Sequence, residues 1–194
     1  MATNVYPDQS LREYYPNLIL ICGSGRDTGK TFLACNIISE WKGRFIINAI
    51  KISIHRHEHN PGMELLSEKE GYSIWKEHSI SHKDSGRFLK AGAKSVFYIE
   101  TNDVHLLDAF VSAIQFCDHG SMIICESGGL AKFIRPAVLL FVQHPQDEID
   151  DKQVFRLMAD RVIYSGSDEI LHPERYIAVE NGSWTMNFIR DDIS

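Results

Sequence analysis

Short apolar runs alternate with longer amphipathic runs along most of the chain. The short runs predict strands buried on both faces, and the longer runs, whose apolar residues recur with the helical period, predict helices. Predicted strands cover residues 17–22, 45–54, 95–100, 121–126, 137–142 and 161–164, and predicted helices cover residues 30–41, 84–91, 104–116 and 150–159. This alternation predicts an α/β fold with a mostly parallel β-sheet and helices on both faces.

Three segments lack the alternation. Residues 1–16 are polar and predict an N-terminal arm that precedes a single domain over residues 17–194. Residues 55–83 are rich in His, Glu and Ser and contain turn-forming Pro and Gly, so no regular element is predicted there. Near the end of the chain, two short runs on either side of Asn181-Gly182 predict a C-terminal hairpin; they cover residues 176–179 and 184–188.

The composition narrows the classes of partner. The 194 residues carry a formal net charge of −6, so the overall field repels phosphate backbones and we expect no nucleic-acid partner. The apolar runs are shorter than the roughly 20 residues of a membrane span, and the N-terminus lacks an apolar signal core. The four cysteines form no CxxC pair, and Cys22 and Cys125 lie in apolar runs. These features predict reduced thiols in a soluble cytoplasmic protein.

The first predicted strand is followed by GSGRDTGKT, which is close to a phosphate-binding pattern. Gly29, Lys30 and Thr31 match the end of G-x-x-x-x-G-K-[ST], while Ser24 stands at the first glycine. In this pattern the backbone N–H groups and the helix N-terminus face phosphate oxygens, Lys30 contacts the β- and γ-phosphates, and the Thr31 hydroxyl binds Mg²⁺. The predicted nucleotide-binding residues here are Gly23, Ser24, Gly25, Arg26, Asp27, Thr28, Gly29, Lys30, Thr31 and Phe32.

A second predicted metal ligand is Glu126. It ends the strand predicted at residues 121–126, and a carboxylate there would hold Mg²⁺ or polarise an attacking water. Together with Lys30 it is the predicted catalytic pair. The alternative is a carboxylate that caps the Ser-Gly-Gly turn that follows.

Four segments together resemble the MobB family, the GTP-binding adaptors of molybdopterin-guanine dinucleotide biosynthesis. They are ICGSGRDTGKT, KISIHRHEH, KDSGRFLKAGA and MIICESGGL, and the resemblance covers about residues 17–165. It implies a P-loop NTPase fold, binding of GTP with Mg²⁺, slow hydrolysis, and a homodimer that docks on the guanylyltransferase that modifies molybdopterin. It also implies that Lys51, Asp84, Arg87 and Glu126 belong to the nucleotide site.

The base-reading motif departs from that of related GTPases. Where N-K-x-D is common, the chain reads Ser-Gly-Ser-Asp at residues 165–168. Only Asp168 is in place to accept hydrogen bonds from guanine, so the choice between GTP and ATP stays open. His55, His57 and His59 alternate and would share one face of an extended segment, which predicts a transition-metal site. The alternatives for these histidines are a solvated loop and a polar patch that faces phosphate or pterin.

Two other functions stay open. One is an ATP-dependent small-molecule phosphotransferase in which Lys51, Asp84 and Arg87 hold an acceptor, or a dethiobiotin synthetase-like ligase, to which GRDTGKT is similar. The other is a nucleotide-dependent switch or metallochaperone that uses the histidine cluster. Asp84 also has a structural alternative, as the N-cap of the helix at residues 84–91.

Overall fold

The computed structural model describes residues 11–54, 62–147 and 152–187. The strands are β1 (Glu13–Gly23), β2 (Ile47–Ser53), β3 (Met63–Lys69), β4 (Tyr72–Glu77), β5 (Ser95–Thr101), β6 (Met122–Glu126), β7 (Ile134–Gln143), β8 (Arg161–Tyr164), β9 (Ile177–Glu180) and β10 (Ser183–Met186). The α-helices are α1 (Lys30–Trp41), α2 (Asp84–Ala91), α3 (Leu106–Ile114) and α4 (Gln153–Met158).

One eight-stranded sheet organises the molecule, in the order β3-β4-β5-β2-β6-β1-β7-β8. The strands from β5 to β8 in this order run parallel, and β4 and β3 are added antiparallel at the β5 edge. Strands β9 and β10 form a separate antiparallel pair. The prediction of an α/β fold with a mostly parallel sheet is therefore confirmed.

The hydrophobic core lies in two layers, one on each face of the sheet. Ile19 and Ile21 of β1 pack with α1, α2 and the β9–β10 hairpin, whereas Leu20 and Cys22 pack with α3 and α4. Burial on both faces explains why the parallel strands are continuous apolar runs. Within the described residues, no helix is long and apolar enough to cross a membrane.

Several predicted boundaries match the structure. Helices α1 and α2 and strand β8 have the predicted ends. Gly92 ends α2 in the left-handed conformation, with φ of +111°, which glycine adopts without the steric cost of a Cβ. Helix α3 is shorter than predicted, and α4 begins at Gln153, while residues 150–151 of its predicted range lie outside the described part of the chain.

The prediction of no regular element in residues 55–83 is wrong, because β3 and β4 form a hairpin there. Strand β3 is the edge of the sheet, and its exposed side chains include Glu64 and Glu68. Edge strands need few apolar residues, so the alternation that reveals a half-buried strand is absent. Gly71 makes the turn between the strands with φ of +84°.

The first strand begins earlier than the strand predicted at residues 17–22. Strand β1 begins at Glu13, and its residues 13–15 pair with residues 134–136 of β7. The pairing is irregular between Tyr15 and Ile19. Pro16 falls in this irregularity, where its missing N–H removes a ladder hydrogen bond. Residues 1–10 lie outside the described residues.

The C-terminal hairpin anchors α1 to the sheet. Trp184 of β10 is 1% exposed, and its ring meets the ring of Trp41 edge to face, with centroids 5.5 Å apart and an interplanar angle of 82°. Edge-to-face pairs add a favourable quadrupole interaction to the burial of apolar area. The helix that begins beside the glycine-rich segment is thus held at its other end by this pair.

We predict that Trp184→Ala lowers the free energy of unfolding by about 3–5 kcal/mol, because it leaves a cavity against Trp41. Urea unfolding followed by circular dichroism measures the change. Leu171→Ala is the control, since its side chain is exposed and its loss should cost less than about 0.5 kcal/mol. Equal, small losses in both variants would show that the hairpin contributes little to the core.

Candidate functional site

A cleft of about 650 Å³ opens at the carboxyl ends of β1, β2 and β6. This edge is where ligands bind in parallel α/β sheets, and the volume is typical of small-molecule sites. It will be called the first cleft. Its lining residues are Gly25, Arg26, Asp27, Thr28, Gly29, Lys30, Thr31, Phe32, Lys51, Ile52, Ser53, Ile54, Asp84, Arg87, Glu126, Ser127, Gly128 and Lys152.

The electrostatic character of the first cleft is opposite to that of the chain. Five of its lining side chains are Lys or Arg and three are Asp or Glu, whereas the whole chain has a net charge of −6. A local excess of positive charge in a recess concentrates anions there. The first cleft therefore suits a polyanionic ligand that the rest of the surface would repel.

The segment from Gly23 to Gly29, which we call the glycine-rich loop, is anchored at its start. The Ser24 N–H donates to the Val142 carbonyl over 3.0 Å, and the Ser24 hydroxyl donates to Asp147. A Cβ on Gly23 would collide with the Val142 carbonyl oxygen. Gly23 and Ser24 therefore fix the loop to β7, and neither lines the first cleft.

The end of the glycine-rich loop turns directly into α1. Gly29 is the N-cap and has φ of +96°, which favours glycine, and Asp27 also has a positive φ of +55°. As a glycine, the N-cap residue has no side chain that could cap the first turn of α1. The first N–H groups of α1 are thus available to an anion, and the helix dipole favours negative charge there.

The Lys30 side chain folds back over the loop that precedes it. Its ammonium donates to the Gly25 carbonyl and lies 3.2 Å from the Thr28 hydroxyl. Burial lowers the pKa of Lys30, and the charge of Glu126 offsets part of that effect. Lys30 therefore places its positive charge inside the curve of the loop.

Glu126, at the end of β6, links that strand to α1 and to β2 at the floor of the first cleft. Its side chain is 3% exposed, and it accepts a hydrogen bond of 2.7 Å from the Thr31 hydroxyl at the start of α1. Its other oxygen accepts from the Lys51 ammonium of β2. The alternative prediction for Glu126 was that it caps the turn after β6. The contacts described here are instead with α1 and β2.

Lys51 also pairs with Asp84 at the start of α2, over 2.7 Å, and Arg87 lies 3.8 Å from the same carboxylate. Burial acts to lower the pKa of Lys51, but the charges of Glu126 and Asp84 outweigh it, so that pKa is raised. Burial acts to raise the pKa of Asp84, but the charge of Lys51 and the hydrogen bond that Lys51 donates outweigh it, so that pKa is lowered. Both groups are held in their charged forms.

The start of α2 is itself fixed by a buried carboxylate on β4. Glu77 is 1% exposed and accepts hydrogen bonds of 2.9 Å from the Ser79 N–H and from the Ser85 hydroxyl. Ser85 follows Asp84, so the β3–β4 hairpin positions the carboxylate that faces Lys51. Sequence reasoning missed Glu77 because it missed the hairpin.

The structure brings most of the predicted site residues together. Gly25 to Phe32, Lys51, Asp84, Arg87 and Glu126 all line the first cleft. Asp168 does not line it; its carboxylate lies 2.6 Å from Arg175 and 3.6 Å from His172.

The predicted histidine site lies outside the described residues, since it rests on His55, His57 and His59. Within residues 11–54, 62–147 and 152–187, no group of three or more His, Cys, Asp or Glu side chains is arranged to hold a metal ion.

Lys152 is a site residue that the sequence did not reveal. It lines the first cleft, and its ammonium donates to the Ser24 carbonyl over 3.2 Å. In the sequence it follows the acidic run at residues 147–151, which reads as a solvated loop. Only the fold shows that this lysine lies against the glycine-rich loop.

Comparison of the chain with protein-family models, with curated proteins and with solved structures gives no match. The features that bear on function are therefore the geometry of the first cleft and the sequence motifs that form it.

We predict that Lys51→Met destabilises the protein by about 3–5 kcal/mol, because it leaves the buried Glu126 carboxylate without its cation. Adding Glu126→Gln to that variant should recover most of the loss, since the uncompensated charge is then removed. Urea unfolding of the two single variants and the double variant gives the coupling free energy. Additive losses would mean that the Lys51–Glu126 pair does not link β2 to β6 energetically.

Proposed function

We propose that this chain is a P-loop protein that binds a nucleoside triphosphate with Mg²⁺ and hydrolyses it slowly. The observation that carries the proposal is the 2.7 Å hydrogen bond between the Thr31 hydroxyl and Glu126. In P-loop NTPases, Mg²⁺ is held by a Ser or Thr that follows the loop lysine and by an acid at the end of a neighbouring strand. Thr31 follows Lys30 at the start of α1, and Glu126 ends β6, the strand beside β1.

Binding of the triphosphate is assigned to backbone and lysine donors. The N–H groups of the glycine-rich loop and of the first turn of α1 would surround the phosphate oxygens. Lys30 would exchange its contact with the Gly25 carbonyl for the β- and γ-phosphates. The excess of basic side chains in the first cleft supports an anion of this charge.

The donor set fits Mg²⁺. A hydroxyl and a carboxylate are hard oxygen ligands, and Mg²⁺ combines a small number of these with waters and phosphate oxygens. Thr31 and Glu126 would hold the ion, and it would neutralise charge on the β- and γ-phosphates. Lys51, already bonded to Glu126 and Asp84, would hold both carboxylates in place.

Hydrolysis requires stabilisation of the charge on the transferred phosphoryl group, and positioning accounts for most of the catalysis in such sites. Arg26, Arg87 and Lys152 are the remaining basic side chains that line the first cleft, from the glycine-rich loop, from α2 and from the β7–α4 connection. Lys152 contacts the loop itself, so it is the stronger candidate to meet the γ-phosphate.

The finer proposal is a MobB-type GTP-binding protein that assists formation of molybdopterin guanine dinucleotide. Its support is the KDSGRFLKAGA segment, which general P-loop chemistry does not require and which supplies Asp84 and Arg87 to the first cleft. On this proposal the protein acts as a homodimer, and its partner is the guanylyltransferase that uses molybdopterin.

A second candidate function is an ATP-dependent small-molecule phosphotransferase. Asp168, the proposed guanine-reading residue, is paired with Arg175 and lies outside the first cleft. This pairing removes the main support for a guanine preference.

We predict that the protein binds Mg²⁺–triphosphate and that Lys30→Ala weakens binding by roughly 100-fold, because charge-assisted hydrogen bonds to the phosphates are lost. Isothermal titration with GTP and with ATP, each with Mg²⁺, measures both the affinity and the base preference. Lys94→Ala, a change at an exposed lysine outside the first cleft, is the matched control.

A clear preference for GTP, reduced by Asp168→Ala, would support the MobB-type role. A preference for ATP, or none, would favour the phosphotransferase. Undiminished binding in Lys30→Ala would contradict the assignment of the glycine-rich loop as the triphosphate site.

We predict that Lys152→Ala lowers the single-turnover rate of hydrolysis by roughly 100-fold while changing the nucleotide Kd little, because its charge acts on the transition state. Lys152→Arg should retain part of the rate. Rapid-quench measurement with saturating nucleotide separates the two effects. A large rise in Kd with an unchanged rate would instead make Lys152 a binding residue.

A further inference from the structure

Ser24 stands at the position where the phosphate-binding pattern has its first glycine. A glycine there would keep the backbone contacts of the loop, so the serine adds only a Cβ and a hydroxyl. Ser24 does not line the first cleft, and its hydroxyl therefore has a role other than direct contact with the ligand of that cleft. The partners of the hydroxyl indicate what that role is.

The hydrogen bonds of Ser24 all lead to one side of the loop. Among the described residues, its N–H donates to Val142 of β7 over 3.0 Å, and its carbonyl accepts from Lys152 over 3.2 Å. Its hydroxyl donates to the Asp147 carboxylate and accepts from the His144 N–H over 3.4 Å. One residue of the glycine-rich loop thus contacts both ends of the β7–α4 connection.

The hydroxyl closes a β-turn that begins where β7 ends. The Asp147 N–H donates to the His144 carbonyl over 3.0 Å, and Pro145 stands at the second position of this turn, where its fixed φ is favoured. The Ser24 hydroxyl contacts the first residue of the turn through an N–H and the last through a carboxylate. Because a hydrogen bond to an ionised carboxylate is stronger than one between neutral groups, this contact fixes the direction of the Asp147 side chain.

Lys152 is held in place at the other end of the connection. It is the N-cap residue of α4, and Arg156 of that helix donates to the side chain of Gln143, at the end of β7, over 3.0 Å. Gln143 is buried, so this bond joins the helix to the sheet largely out of solvent. Residues 148–151, which join the turn to Lys152, lie outside the described residues. The start of α4 therefore keeps Lys152 within reach of the loop.

Asp147 and Lys152 contact the same residue but do not pair with each other in the described part of the chain. The carboxylate is bonded to the Ser24 hydroxyl, and the ammonium is bonded to the Ser24 carbonyl. Only the ammonium belongs to the first cleft, because Lys152 lines it and Asp147 does not. The hydroxyl thus separates two opposite charges, and the Lys152 charge, bonded to a neutral oxygen, stays available to an anion.

Loss of the hydroxyl would remove this separation. Lys152 is the Lys or Arg closest to Asp147 in the sequence. A carboxylate that has lost its donor attracts an ammonium that is held by a neutral acceptor. Pairing of the two would cancel the positive charge that Lys152 supplies to the first cleft.

We propose that Ser24 is a positioning residue, which occupies the Asp147 carboxylate and so keeps the Lys152 ammonium unpaired and directed to the first cleft. That Lys152 then acts on a γ-phosphate rests on the proposed function of the first cleft, but the separation of the two charges does not. The serine at the first position of the pattern therefore serves hydrolysis rather than binding.

Three variants of the full-length protein separate the hydroxyl from the backbone. Ser24→Gly removes the hydroxyl and keeps both backbone contacts, whereas Ser24→Thr keeps a hydroxyl and is the conservative control. The double variant Ser24→Gly/Asp147→Ala also removes the carboxylate, so Lys152 has no new partner to pair with. Circular dichroism of each variant checks that it is folded.

The first readout needs no nucleotide. Acetylation of Lys152 by an N-hydroxysuccinimide ester at fixed pH is followed by peptide mass spectrometry, with the exposed Lys94 as internal reference. Ser24→Gly is expected to slow this acetylation about threefold or more, because pairing with a carboxylate raises the pKa of an ammonium. Ser24→Thr and the double variant should react at close to the wild-type rate.

The second readout is single-turnover hydrolysis of Mg²⁺–nucleotide. Ser24→Gly is expected to lower the rate about tenfold and to change the nucleotide Kd less than about twofold, since the lost charge acts on the transition state. Adding Asp147→Ala should restore most of the rate, whereas a defect of the loop itself would persist. In a Lys152→Ala background, Ser24→Gly should have no further effect on the rate.

A slow Ser24→Gly variant that Asp147→Ala does not rescue would overturn the proposal, and so would unchanged acetylation of Lys152 in Ser24→Gly. If the wild-type protein binds no nucleotide, the proposed function of the first cleft fails, and the acetylation rates alone decide the role of Ser24. If it binds and hydrolyses nucleotide while Lys152 is acetylated equally fast in all variants, the proposed function stands and the role of Ser24 fails.

Discussion

The arrangement of the site depends on one buried carboxylate, that of Glu126. It ends a strand whose other residues are apolar, and it is excluded from solvent, so it must be matched by donors on its neighbours. Thr31 and Lys51 provide them from α1 and β2. Because these contacts require β6 to lie between β1 and β2, the strand order of the sheet and the polar centre of the first cleft support each other.

The same constraint explains why polar residues gather at one edge of an otherwise apolar sheet. Where α1 and α2 cover the sheet, its residues on that face are Ala49, Val96 and Ile124; further along the same strands they become Lys51, Tyr98 and Glu126. A parallel sheet aligns these changes, since all its strands end at one edge. Charges of opposite sign are then separated along that edge, basic near the glycine-rich loop and acidic near the hairpin.

Local patterns in the sequence predicted much of this structure. The period of α1 and the Gly92 stop of α2 are local signals, and both helices have the predicted ends. The residues from Gly25 to Thr31 were predicted because they belong to a phosphate-binding pattern, and Glu126 because it is an acid at the end of an apolar strand. The β3–β4 hairpin could not be found in this way, because an edge strand rich in Glu and Lys lacks an apolar period. Lys152 was missed for a different reason: its role comes from a contact with Ser24, which is distant in sequence.

The buried Glu77 carboxylate has a consequence for communication within the molecule. It ties the end of β4 to Ser85, next to Asp84, and β4 also carries Trp75. A displacement of β4 therefore changes the position of the carboxylate that pairs with Lys51. Because this tie passes through one buried carboxylate, the geometry of the Lys51–Asp84 pair depends on a strand that does not itself line the first cleft.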